Sequence, residues 1–291
     1  MNNLSYLTKL SAPLGLVSLG LVVMANTPAR AQTNFPDVSS DYWAQPFIQR
    51  LAERNIVVGY PDGTFRPEQP VHRDEFAAMI RKAFEKEPIR QIESGSVYKD
   101  VPEGYWAAPA IEEAYQQGFM SGYAGNVFRP QQPVSRVEAL VTLVQGLNLA
   151  PKRQAITPAP QRQVVKRPLY LPFGILALMQ PLAIPKATAA APTTTPPPAR
   201  ETLSALVSDY YTDAQKVPEY AVEEVGIATQ KNIVVNHPDP RVLNPNQPLR
   251  RATATAFIHQ TLVAQDRIAP LSRNVEAYNY IVRPAINQAA R

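Results

Sequence analysis

The sequence predicts a mainly α-helical fold built from repeated helix–loop–helix units. Three observations predict it. The segment "YPDGTFRPEQPVHRDE" at 60–75 returns as "YAGNVFRPQQPVSRVE" at 123–138 and, more worn, as "HPDPRVLNPNQPLRRAT" at 237–253. Apolar residues at helical spacing flank the copies. A Pro-, Ala- and Thr-rich stretch separates the second copy from the third.

The first two copies match without a gap at a separation of 63 positions. Asp37-Val38 corresponds to Asp100-Val101, Tyr42-Trp43-Ala44 to Tyr105-Trp106-Ala107, and Gly59-Tyr60 to Gly122-Tyr123. Phe65-Arg66-Pro67 corresponds to Phe128-Arg129-Pro130, and Arg73 and Glu75 to Arg136 and Glu138. The third copy needs one inserted residue. Tyr220 stands in place of Trp43 and Asn236-His237 in place of Gly59-Tyr60. Arg251 survives at the place of Arg73, but Thr253 replaces Glu75. A pair of short helices buries its own faces poorly, so units of this size are expected to pack on one another.

Residues 1–31 read as a Sec-type signal peptide. Lys9 supplies the positive start, "LSAPLGLVSLGLVVMA" the short apolar run, and Ala29-Arg30-Ala31 the small residues for cleavage before Gln32. The first unit, 35–88, opens with a helix near "YWAQPFIQRLAERN", with Trp43, Phe47, Ile48 and Leu51 on one face and Pro46 in the first turn. "IVVGYPDGTF" is a short extended piece with a turn at Pro61-Asp62-Gly63. A second helix starts at the signature and buries the stripe "FAAMI".

The second unit, 98–150, repeats this with Trp106, Ile111 and Tyr115 on the first helix and Gly118 as its stop. Ser135-Arg136-Val137-Glu138 has the form of a capping box opening the second helix. Residues 151–200 read as an extended linker. Within it "LYLPFGILALMQPLAI", 169–184, is apolar but too short, and too broken by Pro172, Gly174 and Pro181, to span a membrane alone. It reads as a strand or short helix packed on the repeats, or as a segment docking a membrane surface or a partner. The degenerate third unit covers 205–268, and a tail, 271–291, reads as a final helix.

Charge and composition exclude several classes. The chain carries 29 Lys and Arg against 24 Asp and Glu, with no basic run, so nothing points to nucleic acid. It has no cysteine, which rules out disulfides, thiolate metal sites, a cysteine nucleophile and a lipid-modified cysteine. His72, His237 and His259 are too few and too scattered for a metal site or a triad. They read as exposed or partly buried neutral imidazoles. Neither a metal nor a cofactor is expected.

The repeated arginine asks for an explanation. A cation in the first helical turn faces the positive end of the macrodipole, at a cost of ~0.3–1 kcal/mol. Beside free helix N–H groups, a guanidinium at Arg73, Arg136 or Arg251 would bind a carboxylate or phosphate. Trp43 and Trp106 would offer a face to a sugar ring. The alternative is that each arginine pairs with a nearby acid, such as Asp37 or Asp100, and that both tryptophans are core. An enzyme using Glu75 or Glu138 is disfavoured, because capping already explains both carboxylates.

The "FPDV…YWA" opening, the "GYPDGTFRP" middle and the closes "HRDE", "SRVE" and "RRAT" resemble the S-layer homology (SLH) family. With the signal peptide and no further domain, the chain looks like small envelope proteins of cyanobacteria and relatives. The resemblance implies a pseudo-threefold spindle around a helical bundle and non-catalytic attachment in the periplasm or at the cell surface. It implies grooves that bind pyruvylated polysaccharide linked to peptidoglycan. Carried over, the ligand residues are Arg73 and Arg136, with Trp43, Trp106, Gly59 and Gly122 as groove candidates. Asp37, Asp100, Glu75, Glu138 and Ser135 support them. His72 departs from the usual Thr/Ser cap. Arg251 belongs to the most eroded copy and is expected to complete the threefold without binding sugar. The interruption before that copy leaves open that a second subunit supplies it, in a homo-oligomer. The competing reading is an envelope scaffold docking a membrane or envelope protein through 169–184.

Overall fold

The repeated signature sets where each second helix begins, and the prolines before it keep the chain extended up to that point. The computed structural model describes residues 34–90, 98–150 and 199–284. The signal-peptide segment, the linker with its apolar stretch 169–184, and residues 285–291 lie outside the described residues. Seven α-helices are found among those described: α1 (Gln45–Ala52), α2 (Arg73–Ala83), α3 (Ala108–Gln116), α4 (Arg136–Gly146), α5 (Ala199–Tyr210), α6 (Val222–Gln230) and α7 (Arg251–Ala264). Extended backbone pairs only in isolated bridges, so the fold is mainly α. No helix among the described residues is long and apolar enough to cross a membrane.

The first helix of each unit is α1, α3 or α6. Proline in the first turn of α1 and α3 removes an N–H that would have no helical partner. Phe47, Ile48 and Leu51 are buried from α1, and Ile111 from α3. Neither tryptophan joins that face. Residues 42–45 and 105–108 close turns through Gln45 N–H to Tyr42 O (2.9 Å) and Ala108 N–H to Tyr105 O (2.9 Å). The helices therefore begin after the tryptophans, which leaves Trp43 half-buried and Trp106 60% exposed. Asn55, Gly118 and Asn232 follow the three helices in left-handed conformations, with φ of 56°, 80° and 56°.

Three backbone hydrogen bonds join the units in a ring. Val71 N–H donates to Leu249 O (2.8 Å), Leu249 N–H to Val134 O (2.7 Å), and Val134 N–H to Val71 O (3.0 Å). All three side chains are buried. The third place in the ring is taken by Leu249 of the third unit.

An aspartate braces each loop in the same way. Asp37 accepts from the N–H groups of Phe65 and Arg66 (2.8 and 2.6 Å), and Asp100 from those of Phe128 and Arg129 (2.7 and 2.6 Å). Asp213 does the same for Leu243 and Asn244 (2.9 and 2.8 Å). The alternative in which Asp37 and Asp100 pair with the signature arginines does not hold, since their oxygens are taken by backbone.

The most eroded unit supplies the most buried helix. Residues 251–262 of α7 are all buried, against α1, α2 and α4. Apart from Arg251, His259 and Gln260, that buried stretch is Ala, Thr and apolar residues, as a helix enclosed on every side favours. Thr255 and Thr261 satisfy their hydroxyls on the carbonyls of Arg251 and Phe257, at 2.8 and 2.7 Å. His259 is fully buried here, contrary to the expectation of an exposed or partly buried imidazole, and meets the ring of Phe47 edge-on at 5.2 Å. The tail forms a 3₁₀ turn at Glu276–Tyr280 instead of the expected final helix. Its backbone is drawn into pairing with 234–236, through Val282 N–H to Val234 O and Asn236 N–H to Tyr280 O, both 2.9 Å.

Candidate functional site: grooves shared between units

The helix N-termini at the signature do not present free N–H groups. In α2, Arg73 and Asp74 donate to Gln132 O and Pro130 O (3.0 and 3.1 Å). In α4, Arg136 and Val137 donate to Gln247 O and Pro245 O (3.0 and 3.0 Å). In α7, Arg251 and Ala252 donate to Gln69 O and Pro67 O (2.9 and 2.9 Å). Each second helix is thus capped by the loop of a neighbouring unit. An anion held by those N–H groups, as expected from the sequence, finds them occupied.

The guanidinium groups follow the same cyclic path. Arg73 reaches the second unit, with Nε on Phe128 O (2.9 Å) and Nη2 on Ser121 O (2.7 Å). Arg136 reaches the third, with Nε on Leu243 O (2.7 Å) and Nη2 on Asn236 Oδ1 (2.5 Å). Arg251 returns to the first, with Nη2 on Val58 O (2.8 Å). Aromatic rings bracket two of them. Arg73 lies 4.8 and 4.4 Å from the ring centres of Tyr123 and Phe128, and Arg251 lies 4.9 Å from both Tyr60 and Phe65. Burial lowers all three pKa values, that of Arg136 to about 10.

Grooves therefore take one contribution from each unit. The first groove is a cavity of about 590 Å³ lined by Gly59, Tyr60 and Glu75 of the first unit, Trp106 of the second and Arg251 of the third. Tyr60 donates to Glu75 Oε1 at 2.6 Å, and burial followed by that bond pushes the phenol up to about 12. Arg251 Nη1 stands 4.0 Å from the same oxygen, and Arg251 Nε is buried without a partner. Lys82 adds positive charge at the rim, where Arg81 is paired with Glu113 at 2.6 Å.

The second groove, about 640 Å³, holds the equivalent set of Trp43, Arg136, His237 and Thr253. Trp43 is stacked on His237 (5.0 Å, 5°), and Tyr280 meets His237 edge-on at 4.6 Å. The third set is Arg73, Tyr123, Glu138 and Tyr220. Burial, then the charges of Glu138 and Tyr123, push the Tyr220 hydroxyl up.

Of the sequence candidates, Gly59, Glu75, Trp106 and Arg251 line the first groove and Trp43 and Arg136 the second, a different grouping from the sequence copies. Arg251 joins Gly59 and Trp106, and Arg136 joins Trp43. Arg73 shares its neighbourhood with Gly122, whose preceding carbonyl it binds. Ser135 and Glu138 form the expected box, with Ser135 N–H on Glu138 Oε2 at 2.7 Å. His72 keeps half of it, its N–H on Glu75 Oε2 at 3.1 Å. Sequence reading missed Tyr60 and Tyr220 as groove residues and Asp213 as a brace. The tyrosines were visible as repeat positions; a further inserted residue between Asp213 and Tyr220 hid the aspartate.

Fold and grooves define a class, namely repeated helix–loop–helix units that build binding clefts only in combination. The S-layer homology domain family matches residues 34–77, 97–140 and 210–255, so the chain carries three S-layer homology domains. It is similar to a cellulosome-anchoring protein of Acetivibrio thermocellus, 36% identical over 42% of this chain and 28% of the relative. An S-layer protein of Bacillus licheniformis is 28% identical over 47% of this chain and 16% of its own length. An endo-1,4-beta-xylanase A of Thermoanaerobacterium saccharolyticum is 36% identical over 36% and 9%. The matched region spans less than a third of each of these relatives.

Proposed function

We propose that the chain is a non-catalytic anchor that binds a peptidoglycan-linked acidic, pyruvylated polysaccharide, with the first groove as its principal site. Export and association with the cell wall are supported by the three S-layer homology domains and by relatives named as S-layer and anchoring proteins. The observation that carries the reading is the composition of the first groove. It joins the Arg251 guanidinium, whose Nη1 stands 4.0 Å from Glu75, to an exposed Trp106, with Lys82 at the rim. An anionic sugar would satisfy the guanidinium and stack on the indole. Catalysis by Glu75 is disfavoured because both its oxygens already accept hydrogen bonds, from Tyr60 and from the His72 N–H. Arg73 and Arg136 lie outside the first groove, and Asp37 and Asp100 hold loops in place.

The test is co-sedimentation of the purified chain with sacculi, with parallel sacculi treated with mild acid to remove pyruvyl ketals. Acid treatment is expected to abolish binding. Trp106→Ala, an exposed change, is expected to weaken it without unfolding the protein. Binding that survives both treatment and substitution would remove the reading.

A further inference from the structure

The second groove is the pseudo-threefold equivalent of the first, yet its charges are arranged the other way round. Where Glu75 faces Arg251 in the first groove, Thr253 stands in the second. Arg136 consequently has no ion pair among the described residues, and its Nη1 makes no hydrogen bond there. Thr253 is 6% exposed, lines the cavity, and its hydroxyl makes no hydrogen bond among the described residues. Neighbouring threonines of the same helix do bond theirs, which makes the exception informative. Arg136 and Thr253 thus both line one cavity with a donor that the described protein groups do not use, and a carboxylate offers two oxygens to such a pair.

The rim asks for the opposite charge. Asp41 and Glu276 are exposed at its edge, and Glu68 is already bound by Arg250 and Tyr42. A polysaccharide with repeated negative charges would have to pass those carboxylates. One face of Trp43 is covered by His237, so a sugar has less ring to stack on than at Trp106. A ligand with an anionic head and a cationic end fits both requirements, and about 640 Å³ leaves room for one of a few residues.

We propose that the second groove is a separate binding site for a zwitterionic ligand of the amino-acid class, a short peptide with a free carboxylate and a free amine. The carboxylate lies on Arg136 and Thr253, and the amine lies toward Asp41 and Glu276. The site is independent of the glycan reading, since it uses none of the residues of the first groove.

Isothermal titration of the purified chain with three probes tests it: the dipeptide alanyl-alanine, N-acetylalanine with the carboxylate alone, and alaninamide with the amine alone. The dipeptide is expected to bind tightest. Thr253→Val is expected to weaken it roughly fivefold, by loss of one hydrogen bond. Glu276→Gln, which keeps a side-chain oxygen to accept from the Tyr280 hydroxyl, is expected to weaken it about threefold. Absence of dipeptide binding would overturn the proposal. So would N-acetylalanine binding as well as the dipeptide, which would mark a plain anion site. Dipeptide binding unchanged in both variants would place the ligand elsewhere and overturn it too.

Discussion

A methyl group at Gly122 would stand 2.2 Å from Tyr98 Cε1 and 2.7 Å from the carbonyl oxygen of Val127. At Gly59 the corresponding distances are 2.8 Å to Phe35 Cε1 and 3.0 Å to Thr64 O. Neither glycine has a positive φ, so the requirement is for close approach and not for an unusual backbone. Gly122→Ala is therefore expected to destabilise by ~1–3 kcal/mol, and Gly59→Ala by less, in urea unfolding. A second residue makes stability depend on pH. Burial, aided by Arg50 and Arg54, pushes the His259 imidazole down to about 3. In the unfolded chain the ring takes a proton near pH ~6.5. Between these values the unfolded state binds the extra proton, so stability is lost as pH falls through that window. The urea midpoint should drop from pH 7 to pH 4, and His259→Leu should flatten part of that slope; an unaltered slope would exclude the histidine. The tight glycines were legible in the sequence because the repeat keeps them. The grouping of Arg251 with Gly59 and Trp106 was not, since residues of one groove lie in three different copies.

The elements divide between those set locally and those set by packing. The second helices begin where the signature says, because a cap is a short-range device. In α4, Ser135 Oγ accepts from Glu138 N–H at 3.3 Å while Glu138 reaches back to Ser135 N–H. Ser135→Ala should cost ~1 kcal/mol in unfolding experiments, because it removes the first of these bonds and leaves the second. A cost near zero would mean that the loop of the third unit, which binds Arg136 N–H and Val137 N–H, does the capping unaided. The first helices begin later than periodicity suggests. Helical spacing counts Trp43 and Trp106 as face residues, whereas a turn before each helix turns them toward a groove. The tail fails for a related reason. Its backbone bonds to Val234 and Asn236, a long-range partner that no local pattern announces.

At the scale of the molecule, a threefold ring implies that no two units complete one another. Each second helix depends on the next loop for its first N–H groups, and each arginine on the next unit for its acceptors. The third unit has lost most of its signature but keeps what the ring needs: Leu249, Arg251 and an apolar α7. Arg251 thus serves both the joint between units, through its N–H on Gln69 O, and the first groove, through its side chain. A chain ending at residue 150 would leave Val71 N–H and Val134 O without partners and uncover the faces of α1, α2 and α4 that bury α7. It is expected to lose cooperative thermal unfolding and to bind a hydrophobic dye, and addition of a separate fragment covering 199–291 should restore both properties. Cooperative unfolding of the short chain at the midpoint of the full one would show that the first two units stand alone. The ring would then be an accessory of the fold, and the third unit's contribution to the first groove would be confined to Arg251.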